Sequence, residues 1–221
     1  IAEAHPLVSA QVLNGGSPLA LTFEPGQARG PLGQLVSNHL IRRALFEAVD
    51  GQAGVTLLAD ASVAHAAAGS QGCAVTLQSG EQLKGWLLVA ADSRFSATRD
   101  QLGIGAEMNR LGKAMLVCRV AHERPHQGVA TEWFEHGHTI AMLPLGEGMS
   151  SAVLTIGLDE AERLRALSDA ELGAEIAARC RRRLGAMQVA SSRHVYPLVT
   201  SWSHRFAVPG AALIGDAAVG M

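Results

Sequence analysis

The sequence lacks most of the features that mark a secreted, metal-binding or membrane-spanning chain. It contains only three cysteines, Cys73, Cys118 and Cys180, and no CxxC pair. Cysteines that are few, odd in number and widely spaced argue against a disulfide framework and a metal site, and they predict buried thiols in a reducing compartment. No apolar run approaches the roughly 20 residues that span a bilayer. We therefore expect a cytoplasmic location and no bound metal.

An excess of charge of one sign is also missing. Lys and Arg total 18 against 20 Asp and Glu, which gives a formal net charge of −2. This balance excludes the strongly basic footprint of a nucleic-acid-binding protein. Apolar residues, in contrast, make up 48% of the 221 residues. That is enough for a sizeable core in one large or two small domains.

The hydrophobic pattern predicts an α/β protein with two lobes. Helical spacing of apolar residues after Ser37 and Asn38 predicts a helix, and the apolar run at 55–59 predicts the strand of a parallel α/β unit. After Gly105, four short apolar runs predict a mostly antiparallel sheet. The predicted lobes are as follows: residues 31–103 and 200–221 form the α/β lobe, and residues 1–30 and 104–199 form the sheet lobe.

Two of the apolar strands each end in an aspartate. The strand at 87–89 leads to Asp92, and the strand at 213–214 leads to Gly215 and Asp216. Either aspartate alone could belong to an ordinary turn. Together they predict a ligand site, because the carboxyl ends of parallel strands present ligands in open α/β sheets. Asp216 can accept hydrogen bonds from sugar hydroxyls, and Gly215 has no Cβ to hinder a close approach.

The residues around Asp92 resemble the second flavin motif of the p-hydroxybenzoate-hydroxylase-type flavoprotein monooxygenases. In that motif Gly-Ala-Asp-Gly is followed by Ser and then Arg. Asp92, Ser96 and Arg99 match it, whereas Ala90 and Ser93 replace its two glycines. Serine is less free than glycine at positive φ, so the turn at Ser93 is a point of departure from the family.

Two further stretches are similar to the same family. Residues 213–218 resemble its third motif, whose Asp binds the ribityl chain of FAD, although Val219 stands where a His is usual. Residues 37–45 resemble its helix beside the isoalloxazine, with Asn38 at a flavin-contacting position, and Val63 lies where backbone groups meet the adenine. Within the family, the ubiquinone-biosynthesis ring hydroxylases are most similar.

The resemblance implies an incomplete, Rossmann-like FAD-binding lobe with an inserted antiparallel substrate lobe. The implied activity is hydroxylation of a ubiquinone-precursor phenol, prenylated or not, with NAD(P)H and O2. The implied FAD contacts are Asp216, Gly215, Ala217, Asp92, Asn38 and Val63, and no catalytic residue is identified.

Some expected parts of the family pattern are absent from the sequence. No GxGxxG occurs, so we expect an internal fragment that binds FAD poorly by itself. Alternatives left open are a same-fold reductase or halogenase and a non-catalytic fragment that has lost flavin. A peripheral membrane patch at Arg181–Arg183 and association with a biosynthetic complex are also left open.

Overall fold

The computed structural model describes residues 4–26 and 30–221, which form two compact units. Unit 1 holds the described residues of Ile1–Ala48 together with Gly112–Pro197, and unit 2 holds Val49–Leu111 and Leu198–Met221. The mixed α/β fold class predicted from the sequence is confirmed. The predicted lobes are functional divisions and stay a prediction; the compact units group residues 38–48 with the antiparallel sheet.

Strands outnumber helices in both units. The elements in chain order are β1 His5–Leu7, β2 Ser9–Asn14, β3 Ala20–Phe23, β4 Gly33–Leu35, α1 Asn38–Val49, β5 Val63–Gly69, β6 Gly72–Leu77, β7 Gln82–Gly85, β8 Leu88–Ala90, α2 Ala97–Gln101, β9 Ala106–His122, β10 Val129–Glu135, β11 His138–Pro144, β12 Met149–Gly157, α3 Leu158–Ala166, α4 Asp169–Arg179, β13 Met187–Val189, β14 His194–Ser203, β15 Ala207–Val208, β16 Ala211–Leu213 and β17 Val219–Gly220. A 3-10 helix, Gly215–Ala217, precedes β17.

Unit 1 is built on a sheet with the strand order β9-β12-β11-β10-β2-β3. Neighbouring strands are antiparallel except for β2 and β10, which are parallel. Burial alternates along β12, so one face of the sheet is fully buried and the other is half-buried. The buried face packs on α3 and α4, where Leu164, Leu172 and Ile176 are inaccessible to solvent.

Helix α4 begins at the capping box predicted from the sequence. Ser168 Oγ accepts a hydrogen bond from Glu171 N at 3.3 Å, and Glu171 Oε2 accepts one from Ser168 N at 2.8 Å. Together these bonds satisfy two backbone donors at the start of the helix. Helix α3 was not predicted, because Gly157 at its start provides no side-chain cap that a sequence pattern could indicate.

Cys118 and Cys180 belong to the core and are protonated thiols. Cys118 and Cys180 are buried, and Cys73 is half-buried; all three are free. Burial raises the pKa of Cys118 to about 11 and that of Cys180 to about 12. These two side chains therefore act as small apolar groups.

Unit 2 combines an antiparallel hairpin sheet with a parallel strand pair. Strands β5, β6 and β7 form a three-stranded antiparallel sheet. Strand β16 pairs parallel with β8 and antiparallel with β15. Ser96 caps α2, because its Oγ accepts from Arg99 N at 2.9 Å.

The strand predicted at residues 55–59 is wrong. In the structure these residues follow a turn, in which Val55 N donates to Gln52 O at 3.1 Å, and they form no strand. Leu57 and Leu58 are exposed. An apolar run forms a strand only where another strand satisfies its backbone groups, and the described residues offer none here.

The apolar face of α1 is also more open than its spacing predicts. Within unit 1, Leu40 is buried, but Ile41, Leu45 and Phe46 are all exposed. Amphipathic spacing identifies the helix correctly, since it is set by backbone geometry. The same spacing carries no information on what covers that face.

Candidate functional site

The carboxyl ends of β8 and β16 lie at one edge of unit 2. The two strands are parallel neighbours, in register from Leu88 opposite Ala211 to Ala90 opposite Leu213. Asp92 follows the end of β8, and Asp216 follows the end of β16. The structure thus brings the two predicted aspartates to the same edge, as parallel strands require. Their contacts with a cofactor stay a prediction.

Asp92 holds the start of α2. Its Oδ1 accepts a hydrogen bond from Ser96 Oγ at 2.5 Å, and its Oδ2 accepts one from Thr98 N at 3.1 Å. Burial raises the pKa of this carboxyl, but the hydrogen bonds from Ser96 and Thr98 more than offset that effect, so the net pKa is lowered. Asp92 is therefore ionised, and any further donor must use its remaining lone pairs.

Ser93 adopts the left-handed conformation that the family motif reserves for glycine. Its φ is +78°. A side chain in this region costs roughly 1–2 kcal/mol, because its Cβ crowds the following carbonyl. The turn after β8 therefore keeps the backbone geometry expected of glycine although the residue differs.

Asp216 lies in the 3-10 helix, and one of its two carboxylate oxygens is bound by Arg94. Its Oδ2 accepts a hydrogen bond from Arg94 Nη2 at 3.0 Å, and its side chain is 53% exposed. Gly215, just before it, has φ +57°, and a Cβ added there would meet no atom within 4 Å. The backbone conformation thus favours glycine, and open space lies beside the carboxylate.

Ala217 lies on the inner side of the same turn. Its side chain is fully buried. Its carbonyl oxygen accepts from Ser203 Oγ at 3.0 Å and from Arg99 Nη1 at 3.4 Å. Within the described structure, Ala217 anchors the turn that carries Gly215 and Asp216.

Two arginines connect the loops that carry the aspartates. Arg99, matched by the family motif, is buried and also donates from Nη1 to Arg94 O at 2.9 Å. Arg94 has no role predicted from the sequence, and it donates to Val199 O at 2.5 Å as well as to Asp216. A partner far along the chain leaves no local pattern, so sequence spacing could not have found this contact.

Val63 begins β5, and its strand is tied to α2. The Val63 side chain is exposed, and its backbone pairs with Leu77. Gln101 from α2 accepts from Ala66 N at 2.6 Å and donates to Ala64 O at 3.2 Å. These bonds join β5 to α2, the helix whose start Asp92 holds. The predicted contact between the Val63 backbone and an adenine stays a prediction.

Asn38 belongs to unit 1, where it lines a cavity of about 680 Å³. Leu40 N and Ile41 N donate to Ser37 O, so Ser37 is the residue that precedes the first helical turn. The Asn38 amide makes no hydrogen bond with the part of the chain that the structure describes. Residues of the half-buried sheet face, Val117 and Leu143 among them, line the same cavity.

The structure also bears on metal and membrane binding. Across residues 4–26 and 30–221, no cluster of three or more His, Cys, Asp or Glu side chains could hold a metal ion. No described helix has the length and hydropathy needed to cross a bilayer.

Comparisons with known proteins support the resemblance seen in the sequence. The chain is 44% identical over 224 residues to ubiquinone hydroxylase UbiM of Neisseria meningitidis, covering 99% of this chain and 49% of that protein. It is 35% identical over 219 residues to ubiquinone hydroxylase UbiL of Rhodospirillum rubrum, covering 99% of this chain and 51% of that protein. The chain thus spans about half the length of these relatives. No family model matches it.

A solved structure gives the fold. The crystal structure of PqsL, a probable FAD-dependent monooxygenase from Pseudomonas aeruginosa, matches with a TM-score of 0.82 at 21% identity, covering 98% of this chain and 62% of that one. At this identity the match concerns the fold alone. The chain is therefore a relative of the ubiquinone hydroxylases in sequence, and it has the fold of the FAD-dependent monooxygenases.

Proposed function

We propose that this chain is part of an FAD-dependent aromatic-ring hydroxylase that acts on a phenolic ubiquinone precursor. The observation that carries the proposal is the parallel pairing of β8 with β16, which sets Asp92 and Asp216 at one sheet edge. Both residues belong to stretches that match flavin motifs. The names of the two ubiquinone hydroxylases to which the chain is similar support the choice of substrate.

The residues at this edge fit the sugar chain of FAD. Asp216 offers an exposed carboxylate, and Gly215 leaves open space beside it. A carboxylate with a free oxygen and an unobstructed approach is suited to hydroxyl donors. We expect Asp216, Gly215, Ala217 and Asp92 to hold the ribityl region, Val63 to lie near the adenine, and Asn38 to lie near the flavin ring.

In this proposal the chain's own residues bind the FAD, orient it and enclose it. When bound, FAD supplies the redox and oxygen chemistry. The proposal also includes NAD(P)H as the reductant. Asp92 fixes the start of α2, and Arg94 and Arg99 fix the loops around Asp216. Preorganised loops lower the cost of ordering a ligand.

The cavity of unit 1 is the proposed site for the aromatic ring. Its volume, about 680 Å³, lies within the ordinary range of small-molecule sites. Leu35, Val36 and Leu145 supply apolar wall, and Asn38 supplies a polar group. Such a lining suits a substituted phenol, with or without a prenyl chain.

Turnover with a labelled oxidant tests the proposal. The complete protein that contains this chain is purified, loaded with FAD and incubated with NAD(P)H, isotopically labelled O2 and a ubiquinone-precursor phenol, and the product is analysed by mass spectrometry. We expect one labelled oxygen on the ring. NAD(P)H oxidation without labelled product would favour a reductase, and failure to retain FAD would favour a non-catalytic fragment.

Peripheral membrane association is a separate part of the proposal. Arg181, Arg182 and Arg183 are exposed just beyond α4. Arg181 already pairs with Glu135 at 3.0 Å, which leaves less net charge for anionic lipid. Flotation of Arg182→Gln with anionic vesicles tests this association, which stays a prediction together with the cytoplasmic location and membership of a biosynthetic complex.

A further inference from the structure

The guanidinium of Arg94 is fixed by the backbone of unit 2. Its Nη1 donates a hydrogen bond to Val199 O at 2.5 Å, and its Nη2 donates one to Met221 O at 2.9 Å. Val199 belongs to β14, and Met221 directly follows β17, the antiparallel partner of β14. The Arg94 side chain is only 21% exposed. Two backbone oxygens from a strand pair therefore define where this guanidinium lies.

The stem of Arg94 is closely packed on the side of Gly220. A Cβ added to Gly220 would lie 3.0 Å from Arg94 Cβ and 3.1 Å from Arg94 Nε. It would also lie 2.9 Å from the Oγ of Ser201, which is buried and opposite Gly220 in the strand pair. A side chain at residue 220 would force Arg94 or Ser201 to move. Glycine at this position therefore keeps the path of the Arg94 side chain clear.

The third acceptor of Arg94 is the carboxylate of Asp216. Nη2 donates to Asp216 Oδ2 at 3.0 Å. The donors of a guanidinium lie in one rigid plane, so the two backbone acceptors also set the direction of this third bond. Asp216 is the less constrained partner, because its side chain is 53% exposed and makes no other hydrogen bond with the residues that the structure describes. Arg94 thus sets the orientation of the carboxylate and occupies Oδ2, which leaves Oδ1 for another donor.

We propose that Arg94 is a positioning residue for FAD and that it acts through Asp216. By binding Oδ2, it presents Oδ1 as the acceptor for a ribityl hydroxyl. This inference rests on the proposed function, which assigns Asp216 to the ribityl chain. Without Arg94 the carboxylate is free to rotate, and FAD binding must then bear the cost of ordering it. Arg94 acts without contacting FAD, so its contribution to FAD affinity should disappear when the Asp216 carboxylate is removed.

A double-mutant cycle on FAD affinity tests this coupling. The complete protein that contains this chain is freed of FAD, and the dissociation constant of FAD is measured by flavin fluorescence. The four proteins are the unaltered protein, Arg94→Ala, Asp216→Ala and the double variant. We expect Arg94→Ala to weaken FAD binding about 10-fold when Asp216 is present. In the Asp216→Ala background, the same change should alter the dissociation constant less than about 2-fold, because the carboxylate that Arg94 orients is gone.

Two further variants separate positioning from a general effect of charge or folding. Arg94→Lys should recover part of the FAD affinity, and only when Asp216 is present, since an ammonium can bind the carboxylate but lacks the planar set of donors. Arg110→Ala is the matched control, because Arg110 is an exposed arginine of the same unit, and it should bind FAD as the unaltered protein does. Circular dichroism at the assay temperature shows which variants are folded. Should Arg94→Ala fail to fold, Arg94→Lys replaces it in the cycle, with a smaller coupling of the same sign.

Two results would overturn the proposal. The first is equal FAD affinity of the unaltered protein and the folded Arg94 variant. The second is the same loss of affinity with and without Asp216, which would assign Arg94 to general support of the fold or to direct contact with FAD. Failure of the proposed function shows differently: the unaltered complete protein binds no FAD or forms no hydroxylated product, or Asp216→Ala alone leaves FAD affinity unchanged.

Discussion

Replacing Arg94 with alanine should destabilise unit 2 and loosen the turn that carries Asp216. The guanidinium donates to Val199 O at 2.5 Å and to Asp216 Oδ2 at 3.0 Å, and its side chain is only 21% exposed. These contacts join the loop after β8 to two later segments of the chain. Removing them leaves a buried carbonyl oxygen and a carboxylate without their shared donor.

The size of the effect follows from the exposure of each partner. A hydrogen bond from a charged donor contributes about 1.5–3 kcal/mol, whereas an exposed ion pair contributes about 0–1 kcal/mol. The Asp216 side chain is 53% exposed, so its ion pair with Arg94 contributes a free energy near the lower end of the range for ion pairs. We expect Arg94→Ala to lose about 2–3 kcal/mol of unfolding free energy, equivalent to a fall in Tm of about 4–12 °C for a chain of this size.

Urea unfolding followed by circular dichroism measures the change. Arg110→Ala is the matched control, because Arg110 is exposed in the same unit and forms no ion pair within the described residues. Arg94→Lys should recover only part of the loss, since an ammonium cannot reach Val199 O, Asp216 Oδ2 and Met221 O at once as the planar guanidinium does. Equal stability of Arg94→Ala and Arg110→Ala would refute the assignment of Arg94 as a link between these segments.

Three further predictions concern single residues. Ser93→Gly should raise the unfolding free energy by about 1 kcal/mol, because glycine removes the cost of φ +78°. An unfolding free energy that does not rise in chemical denaturation would contradict backbone strain at Ser93. Ser168→Ala should lower the unfolding free energy by about 1 kcal/mol and fray the start of α4, which amide exchange detects. Unchanged amide exchange at the start of α4 would show that the capping box is dispensable. Burial lowers the pKa of His122, so the folded state favours its neutral form. Stability should therefore be complete above about pH 6.5, the ordinary His pKa, and fall as pH drops below it; His122→Gln should reduce that dependence, and an unchanged slope would count against His122 as its source.

The sequence predicts elements whose signals are local. The Ser168–Glu171 capping box, the helix after Ser37 and the strand ends at Asp92 and Asp216 each depend on neighbouring residues, and the structure contains all of them. Short-range geometry decides such features, so a single sequence is enough.

Elements that depend on distant partners could not be predicted in the same way. The run at 55–59 has the composition of a strand but no strand to pair with in the described structure. The contacts of Arg94 with Val199 and Asp216 join residues more than one hundred positions apart in the chain.

FAD binding by the Asp216→Ala variant tests the central claim most directly. The dissociation constant is measured by flavin fluorescence for the complete protein that contains this chain and for its Asp216→Ala and Asp50→Ala variants, the last replacing an exposed aspartate of the same unit. We predict that Asp216→Ala weakens FAD binding about 10- to 100-fold, as expected for the loss of a charge-assisted hydrogen bond, and that Asp50→Ala leaves it unchanged. Equal FAD affinity in all three proteins would contradict the assignment of this sheet edge as the flavin site.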